Sequence, residues 1–287
     1  MHKKLFKTIA KIGISFLLLY FVFTKIDFNQ IVALYKNSDT FYLLLSIVLF
    51  VFSQFISSIR LNYIFHQNDF LLKHSSNLKL YFVGMFYNFF IPGGVGGDAY
   101  KVFILHKKFG WKAKQLTQCV FIDRLIGLLA ILILVLLMSS YLFFSNSLIL
   151  IIGIIACVLS FFLGKIILAR IFKKINDYYS RSFFYSIIIQ LFQLGTIISF
   201  MLAFKLNVAN ILGYCFTFLI SSVLSVVSFA GFGAREYVFL KASNFLGTDE
   251  AIAISIGLSF NIITALLSLV GVFFILYKLD LKTTSIK

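Results

Sequence analysis

Residues 125–144 read LIGLLAILILVLLMSSYLFF, twenty residues without a charged side chain. A helix of this length rises about 30 Å, the thickness of the hydrocarbon core of a bilayer. Similar runs recur along the 287 residues, of which 61% are hydrophobic and only 13% charged. A soluble domain is about 45–50% apolar and has more charge. The sequence therefore predicts an all-α, polytopic helical membrane protein with a single integral membrane domain over residues 1–287.

Hydropathy predicts about six full crossings. They lie near residues 8–24, 41–65, 116–144, 147–168, 182–204 and 250–277. The first has four lysines, at positions 3, 4, 7 and 11, before its apolar run 12–24, and it resembles a signal peptide. It has no small-residue cleavage site, so we expect it to be retained. Two further apolar segments, 78–92 and 208–229, are shorter and end in PGGVGGD and AGFGARE. Because irregular backbone inside a bilayer needs protein or a cavity around it, we predict broken or re-entrant helices there.

If both broken segments return to the side from which they enter, the loops at 66–79, 101–114 and 165–181 are cytoplasmic, and so are both termini. On this assumption 19 of the 26 Lys and Arg residues, Lys101 among them, are cytoplasmic and 4 are external. Such an excess is what the positive-inside rule requires. We therefore expect a multi-pass protein of the cell inner membrane with cytoplasmic N- and C-termini.

The two glycine-rich breaks belong to a predicted internal repeat, with units around residues 78–144 and 208–277. A shift of 137 positions aligns Gly94 with Gly231, Gly96 with Gly233, Tyr100 with Tyr237, and Gly110 with Gly247. The predicted orientation has the two breaks entering from opposite sides, which makes the repeat inverted. Transporters use inverted repeats to build a site that opens alternately to each side. The candidate break glycines are Gly93, Gly94, Gly96, Gly97, Gly231 and Gly233.

Charged side chains inside the apolar segments are the candidate substrate-binding residues. Each costs about 2.5 kcal/mol or more in the hydrocarbon, so such residues usually pair and have a function. The candidates are Asp98, Asp123, Arg124, Arg235 and Glu236, with Asn88 and Asn261 as nearby amides. In one interpretation, the two arginines hold a phosphate while the acids orient them and carry a coupling proton. In the other, all are structural ion pairs that fix the breaks.

Other signals point to no catalytic site, metal or cofactor. The net charge of +16 is spread over short loops, as membrane insertion requires, and does not indicate nucleic-acid binding. Residues 94–99 match the dinucleotide fingerprint but lack the preceding strand. The histidines share no ligand spacing, and the three cysteines are expected in the core. Arg60, near a cytoplasmic end, is expected to extend to the membrane interface.

A family resemblance rests on two motifs. The run from Phe86 to Leu128 carries Asn-x-x-x-Pro-Gly-Gly-x-Gly-Gly-Asp, a lysine-rich loop and Asp-Arg-x-x-Gly, and residues 231–236 read Gly-x-Gly-x-Arg-Glu. Together they resemble the transmembrane region of lysylphosphatidylglycerol synthases and related flippase-like proteins of bacteria. One departure is Ser228-Phe229-Ala230, where the family tends to have prolines. Because the chain ends about 10 residues after the last predicted span, we expect no aminoacyl-transfer domain.

The resemblance implies a lipid flippase, not an enzyme, that moves a phospholipid or a polyprenyl-phosphate-linked lipid between leaflets. An anionic or phosphate-bearing membrane lipid is then the expected partner. A second copy of the chain and a lipid-biosynthesis protein are further candidate partners. Two alternatives stay open: an intramembrane enzyme or enzyme subunit acting on a lipid-linked substrate, and a secondary transporter of a small solute or ion.

Overall fold

The computed structural model describes residues 28–90, 96–144, 147–172, 174–225, 233–277 and 279–284. The predicted first crossing at 8–24 lies outside these residues, and so do Gly93, Gly94 and Gly231 of the breaks.

The described residues are overwhelmingly α-helical. The helices are α1 (Phe28–Lys36), α2 (Thr40–Gln67), α3 (His74–Phe90), α4 (Gly96–Phe109), α5 (Ala113–Leu142), α6 (Ser147–Ile171), α7 (Tyr179–Ala203), α8 (Ile211–Leu224), α9 (Ala234–Leu246) and α10 (Glu250–Leu276). An isolated antiparallel bridge joins Leu72 and Thr283, and no strand is found in the described part of the chain. The prediction of an all-α fold is confirmed.

Five of these helices, α2, α5, α6, α7 and α10, are long and apolar enough to cross a membrane, with 25 to 30 residues each. Five predicted crossings are confirmed, with boundaries that shift by a few residues. Helix α6 is the most exposed, since Gly153 and Leu168 are its only buried residues. Exposed isoleucines and phenylalanines on most of its surface suit contact with lipid tails. The protein is a multi-pass helical membrane protein.

The described helices on either side of the two glycine-rich segments are short. Helices α3 and α8 have 17 and 14 residues, and α4 and α9, which follow the breaks, have 14 and 13. All four are shorter than the roughly 20 residues that span a bilayer. In the described residues, two short helices flank each glycine-rich segment, and a long helix follows. Gly110 and Gly247, which the 137-residue shift aligns, both have positive φ, 69° and 62°, and each follows the end of a short helix.

The chain forms two compact units. The first unit takes its described residues from Met1–Val51, Phe86–Gly96 and Phe192–Leu269. The second unit takes them from Phe52–Met85, Gly97–Leu191 and Val270–Lys287. Phenylalanines pack inside the first unit, where the Phe260 ring contacts those of Phe50 and Phe218. The core of the second unit packs side chains of α2, α4 and α5 around buried Leu61, Leu105 and Leu116.

Candidate functional site

Asp98, Lys101 and Arg124 form a charged cluster in the second unit, here called the Asp98 cluster. Asp98 lies in the first turn of α4, where the helix dipole favours a negative charge. Its Oδ1 accepts hydrogen bonds from Lys101 Nζ at 3.1 Å and from Arg124 Nη2 at 3.3 Å. Its Oδ2 accepts from Arg124 Nε at 3.0 Å. The carboxylate therefore holds two cations, one from its own helix and one from α5.

The three side chains differ in exposure. Those of Asp98 and Lys101 are 9% and 5% exposed, but that of Arg124 is 56% exposed. Arg124 is eleven residues from the start of α5, about 16 Å along the helix axis. A guanidinium at this depth in a long apolar helix is fixed by Asp98 on one side and open on the other. It can bind a further anion.

Two glycines make room for this arrangement. A Cβ on Gly97 would overlap the carbonyl oxygen of Gly84, so α3 and α4 are in backbone contact at this point. A Cβ on Gly84 would in turn overlap Cε of Lys101. The Lys101 ammonium lies 4.8 Å from the centre of the Tyr81 ring, in cation–π contact. The glycine pair lets the lysine stem cross α3 and end beside Asp98.

Arg60 and Asp123 form a separate buried ion pair in the second unit. Arg60 Nε donates to Asp123 Oδ1 at 2.8 Å and Nη2 donates to Oδ2 at 3.0 Å. Nη1 donates to the hydroxyl of Ser186 at 2.7 Å. Both charged residues are buried, so the expectation that Arg60 extends to the interface is wrong. A bidentate partner on α5 holds the guanidinium inside the protein.

Arg235, Glu236 and Asn261 form a buried triad in the first unit. The Asn261 amide bridges the two charges: its Oδ1 accepts from Arg235 Nη1 at 2.6 Å, and its Nδ2 donates to Glu236 Oε1 at 2.8 Å. Glu236 Oε2 also accepts from the backbone N–H of Gly233 at 2.8 Å and so caps α9. The Arg235 guanidinium lies 4.3 Å from the centre of the Phe260 ring. Both oxygens of Glu236 accept N–H donors, an arrangement that suits the ionised form.

The structure thus distributes the predicted residues over three groups. Asp98 and Arg124 lie together, Asp123 pairs with Arg60 instead of orienting Arg124, and Arg235 and Glu236 share Asn261. Asn88 is half-buried in α3. Among the described histidines, cysteines and acids, no group of three or more could hold a metal.

Lys101 and Arg60 are the two charged residues that sequence reasoning missed. The sequence predicts Lys101 in a cytoplasmic loop, yet it is buried in α4. The signal that could have revealed it is its position three residues after Asp98, which puts both on one helix face. For Arg60, the signal was that Asp123, inside an apolar helix, needed a basic partner.

Replacement of Asn261 by Leu is expected to destabilise the first unit. The change removes a hydrogen bond from each of two buried charges and should lower the free energy of unfolding by about 2–4 kcal/mol. Heating with a thiol-reactive dye measures this in a background in which Cys119 and Cys157 are replaced by serine, because the buried Cys215 of the first unit then reports opening. Asn244→Leu is the control, since Asn244 is exposed on α9. Equal transition temperatures for the two variants would contradict the bridging role of Asn261.

Long apolar helices and buried ion pairs define a polytopic helical membrane protein with charged groups inside its spanning region. The chain belongs to the family described as the lysylphosphatidylglycerol synthase TM region, which it matches over residues 8–271. The resemblance inferred from the two motifs is therefore confirmed, and it connects the chain to membrane lipids. No curated protein matches the chain.

Proposed function

We propose that the protein is a lipid transporter of the bacterial inner membrane, with cytoplasmic termini, that moves a phospholipid or a polyprenyl-phosphate-linked lipid between leaflets. It is not an enzyme in this proposal. The family membership supports a lipid-related role. The observation that carries the proposal is the half-exposed guanidinium of Arg124 inside a 30-residue apolar helix.

An exposed charge at this depth needs a polar partner outside the protein. A lone arginine at the centre of a spanning helix costs about 2.5–3.5 kcal/mol on the insertion scale. Asp98 uses Nε and Nη2 of Arg124. A guanidinium has five N–H donors, so donors remain for an incoming group. Phosphate oxygens match the planar donor fork of arginine.

Lipid transport requires a polar path for the headgroup only, since the acyl chains can stay in the bilayer. The charges of the Asp98 cluster provide a polar position within an otherwise apolar span. Arg124 would bind the lipid phosphate, and Asp98 would hold Arg124 in the conformation that presents its free donors. Arg235, Glu236 and Asn261 would keep the second break rigid.

Leaflet exchange in proteoliposomes tests the proposal. The substrates are fluorescent phosphatidylglycerol, phosphatidylethanolamine and a polyprenyl-phosphate analogue, and exchange is read by dithionite quenching. We expect exchange above that of empty vesicles. Arg124→Gln should lower it by about 10–100-fold, because a hydrogen-bonded charge contributes about 1.5–3 kcal/mol.

Arg170→Gln is the matched control, because Arg170 is exposed in the last turn of α6 and should be neutral. Absence of exchange with every lipid, at verified insertion and with an imposed proton gradient, would contradict the proposal. Mass spectrometry of the same vesicles would then identify a lipid product if the protein is a membrane enzyme. Uptake of a soluble solute would instead identify a secondary transporter.

A further inference from the structure

We propose that buried Lys101 makes the Asp98 cluster selective for headgroups whose net charge is minus one, such as a phosphodiester without an amine. This inference rests on the proposed function, because it names the substrate class of the same site. It assigns Lys101 a positioning role in which the residue sets the charge of the site without touching the lipid.

The hydrogen bonds define the charge of the cluster. Asp98 accepts from an ammonium on Oδ1 and from a guanidinium on both oxygens, so the carboxylate is surrounded by charged donors. One carboxylate and two cations leave one net positive charge. The neighbouring pair of Arg60 and Asp123 is bidentate and adds no net charge.

The exposure of the three side chains locates that net charge. The Lys101 ammonium is enclosed by Asp98 and the ring of Tyr81, and its side chain is 5% exposed. It therefore shares the negative charge of Asp98 with Arg124 from inside the protein. Because one carboxylate pairs with two cations, the net positive charge of the cluster is accessible at Arg124, whose side chain is 56% exposed. Without Lys101, Asp98 and Arg124 would form a neutral pair with little attraction for an anion.

A single uncompensated charge favours a ligand of charge minus one. Charge mismatch is expensive where water is scarce, since the interaction of two charges grows as the effective dielectric constant falls. A phosphodiester such as phosphatidylglycerol carries one negative charge. A phosphomonoester carries about 1.5–2 at pH 7. Phosphatidylethanolamine is a zwitterion without net charge. Among polyprenyl lipids, a sugar-linked phosphodiester would be preferred to the bare monophosphate.

The close packing around Lys101 accommodates a long, unbranched side chain. Its stem passes over Gly84, where any Cβ would overlap Cε of Lys101. Its ammonium lies in cation–π contact with Tyr81, whose hydroxyl donates to Gln54 Oε1 at 3.4 Å. A lysine buried by this much close packing contributes its charge to the site and not to the membrane surface.

Three variants change the net charge of the cluster stepwise. Lys101→Met brings it to zero, Asp98→Asn raises it to plus two, and the double variant returns it to plus one. Exchange of phosphatidylglycerol, phosphatidylethanolamine and phosphatidic acid is compared in proteoliposomes of matched protein content. Lys107→Met is the control, because Lys107 is exposed on the same helix α4.

We expect the wild type and Lys107→Met to exchange phosphatidylglycerol about tenfold faster than phosphatidylethanolamine. Lys101→Met should abolish that advantage, and the double variant should regain it at a lower overall rate, because Asp98 no longer holds Arg124. Asp98→Asn should shift the preference towards phosphatidic acid. A purely structural role for Lys101 would lower exchange of all three lipids equally and would not be rescued by a second substitution.

The inference and the proposed function fail in different ways. A wild type that exchanges no lipid overturns the proposed function. A wild type that exchanges all three lipids at one rate overturns the charge selectivity and leaves transport intact. If the double variant does not fold, Lys101→Met alone decides: an unchanged advantage for phosphatidylglycerol in the folded variant overturns the inference.

Discussion

Arg60→Met is expected to lower the free energy of unfolding by about 3–5 kcal/mol, because it leaves Asp123 as an uncompensated buried charge. Asp123 is buried on α5 and receives both of its charged hydrogen bonds from Arg60. The second unit has no other described basic side chain within ion-pair distance of Asp123. A loss of this size is enough to leave little folded protein in detergent.

The double variant Arg60→Met with Asp123→Leu is expected to recover most of that loss. Buried ion pairs replaced by apolar residues of similar volume are often neutral or even stabilising. Ser186, which binds Arg60, keeps a partner because its hydroxyl also donates to the carbonyl of Ser182. If the double variant recovers its stability, the loss in Arg60→Met comes from the unpaired charge of Asp123, and the ion pair itself is not required for folding.

The reactivity of Cys119 with a thiol dye during heating measures both variants, in a background in which Cys157 and Cys215 are replaced by serine. This thiol is buried in the second unit, one turn before Asp123 on the same helix. Arg170→Met controls for loss of an exposed arginine. An Arg60→Met variant as stable as wild type would contradict the structural role of the pair. A double variant no more stable than Arg60→Met would show that the apolar replacement does not fit.

Gly97→Val is expected to abolish folding of the second unit, and Gly97→Ala to cost at least about 3 kcal/mol, at the upper end of overpacking effects. The new Cβ would overlap the backbone oxygen of Gly84, which cannot move aside as a flexible side chain can. Helices α3 and α4 would have to separate. That movement would also take Lys101 away from Tyr81 and disturb the Asp98 cluster.

Gly195→Ala is the control for this prediction. Gly195 is also helical, but the nearest atom to an added Cβ is the flexible tip of Leu49 at 3.3 Å. Alanine also favours helix over glycine by about 1 kcal/mol, so the control should be near neutral. The measurement is the yield of monodisperse protein in size-exclusion chromatography. Normal yields for Gly97→Ala would contradict the close packing of α3 on α4.

Hydropathy predicts the helices because each helical crossing of a bilayer needs about 20 consecutive apolar residues. A run such as 125–144 must be helical at membrane depth, since every backbone N–H and C=O needs a partner there. The interruptions stay a prediction, based on PGGVGGD and AGFGARE, in which glycine and proline disfavour a regular helix. Length and composition are local properties, and they were sufficient for five spans.

The pairing of charges was not predictable in the same way. Asp123 and Arg124 are adjacent in sequence, yet one binds Arg60 and the other binds Asp98, because successive helical residues face directions about 100° apart. Tertiary packing decides which helix each face of α5 contacts. The paired residues are 63 positions apart in sequence for Arg60 and Asp123, and 26 positions apart for Arg124 and Asp98. The contacts of Glu236 were not predictable from the sequence either. Its position beside a break was visible, but its role as a helix cap was not.

The burial of Arg60 also has a consequence for biogenesis. Its partner Asp123 is made 63 residues later, a delay of about 3–12 s at translation rates of 5–20 residues per second. During that interval α2 holds a guanidinium without its carboxylate. Arg60 lies seven residues before the end of α2, about 10 Å from the helix terminus, so its side chain can extend to the interface of the nascent helix. We therefore expect Arg60 to become buried only once α5 supplies Asp123, so that the final packing of α2 depends on the synthesis of α5.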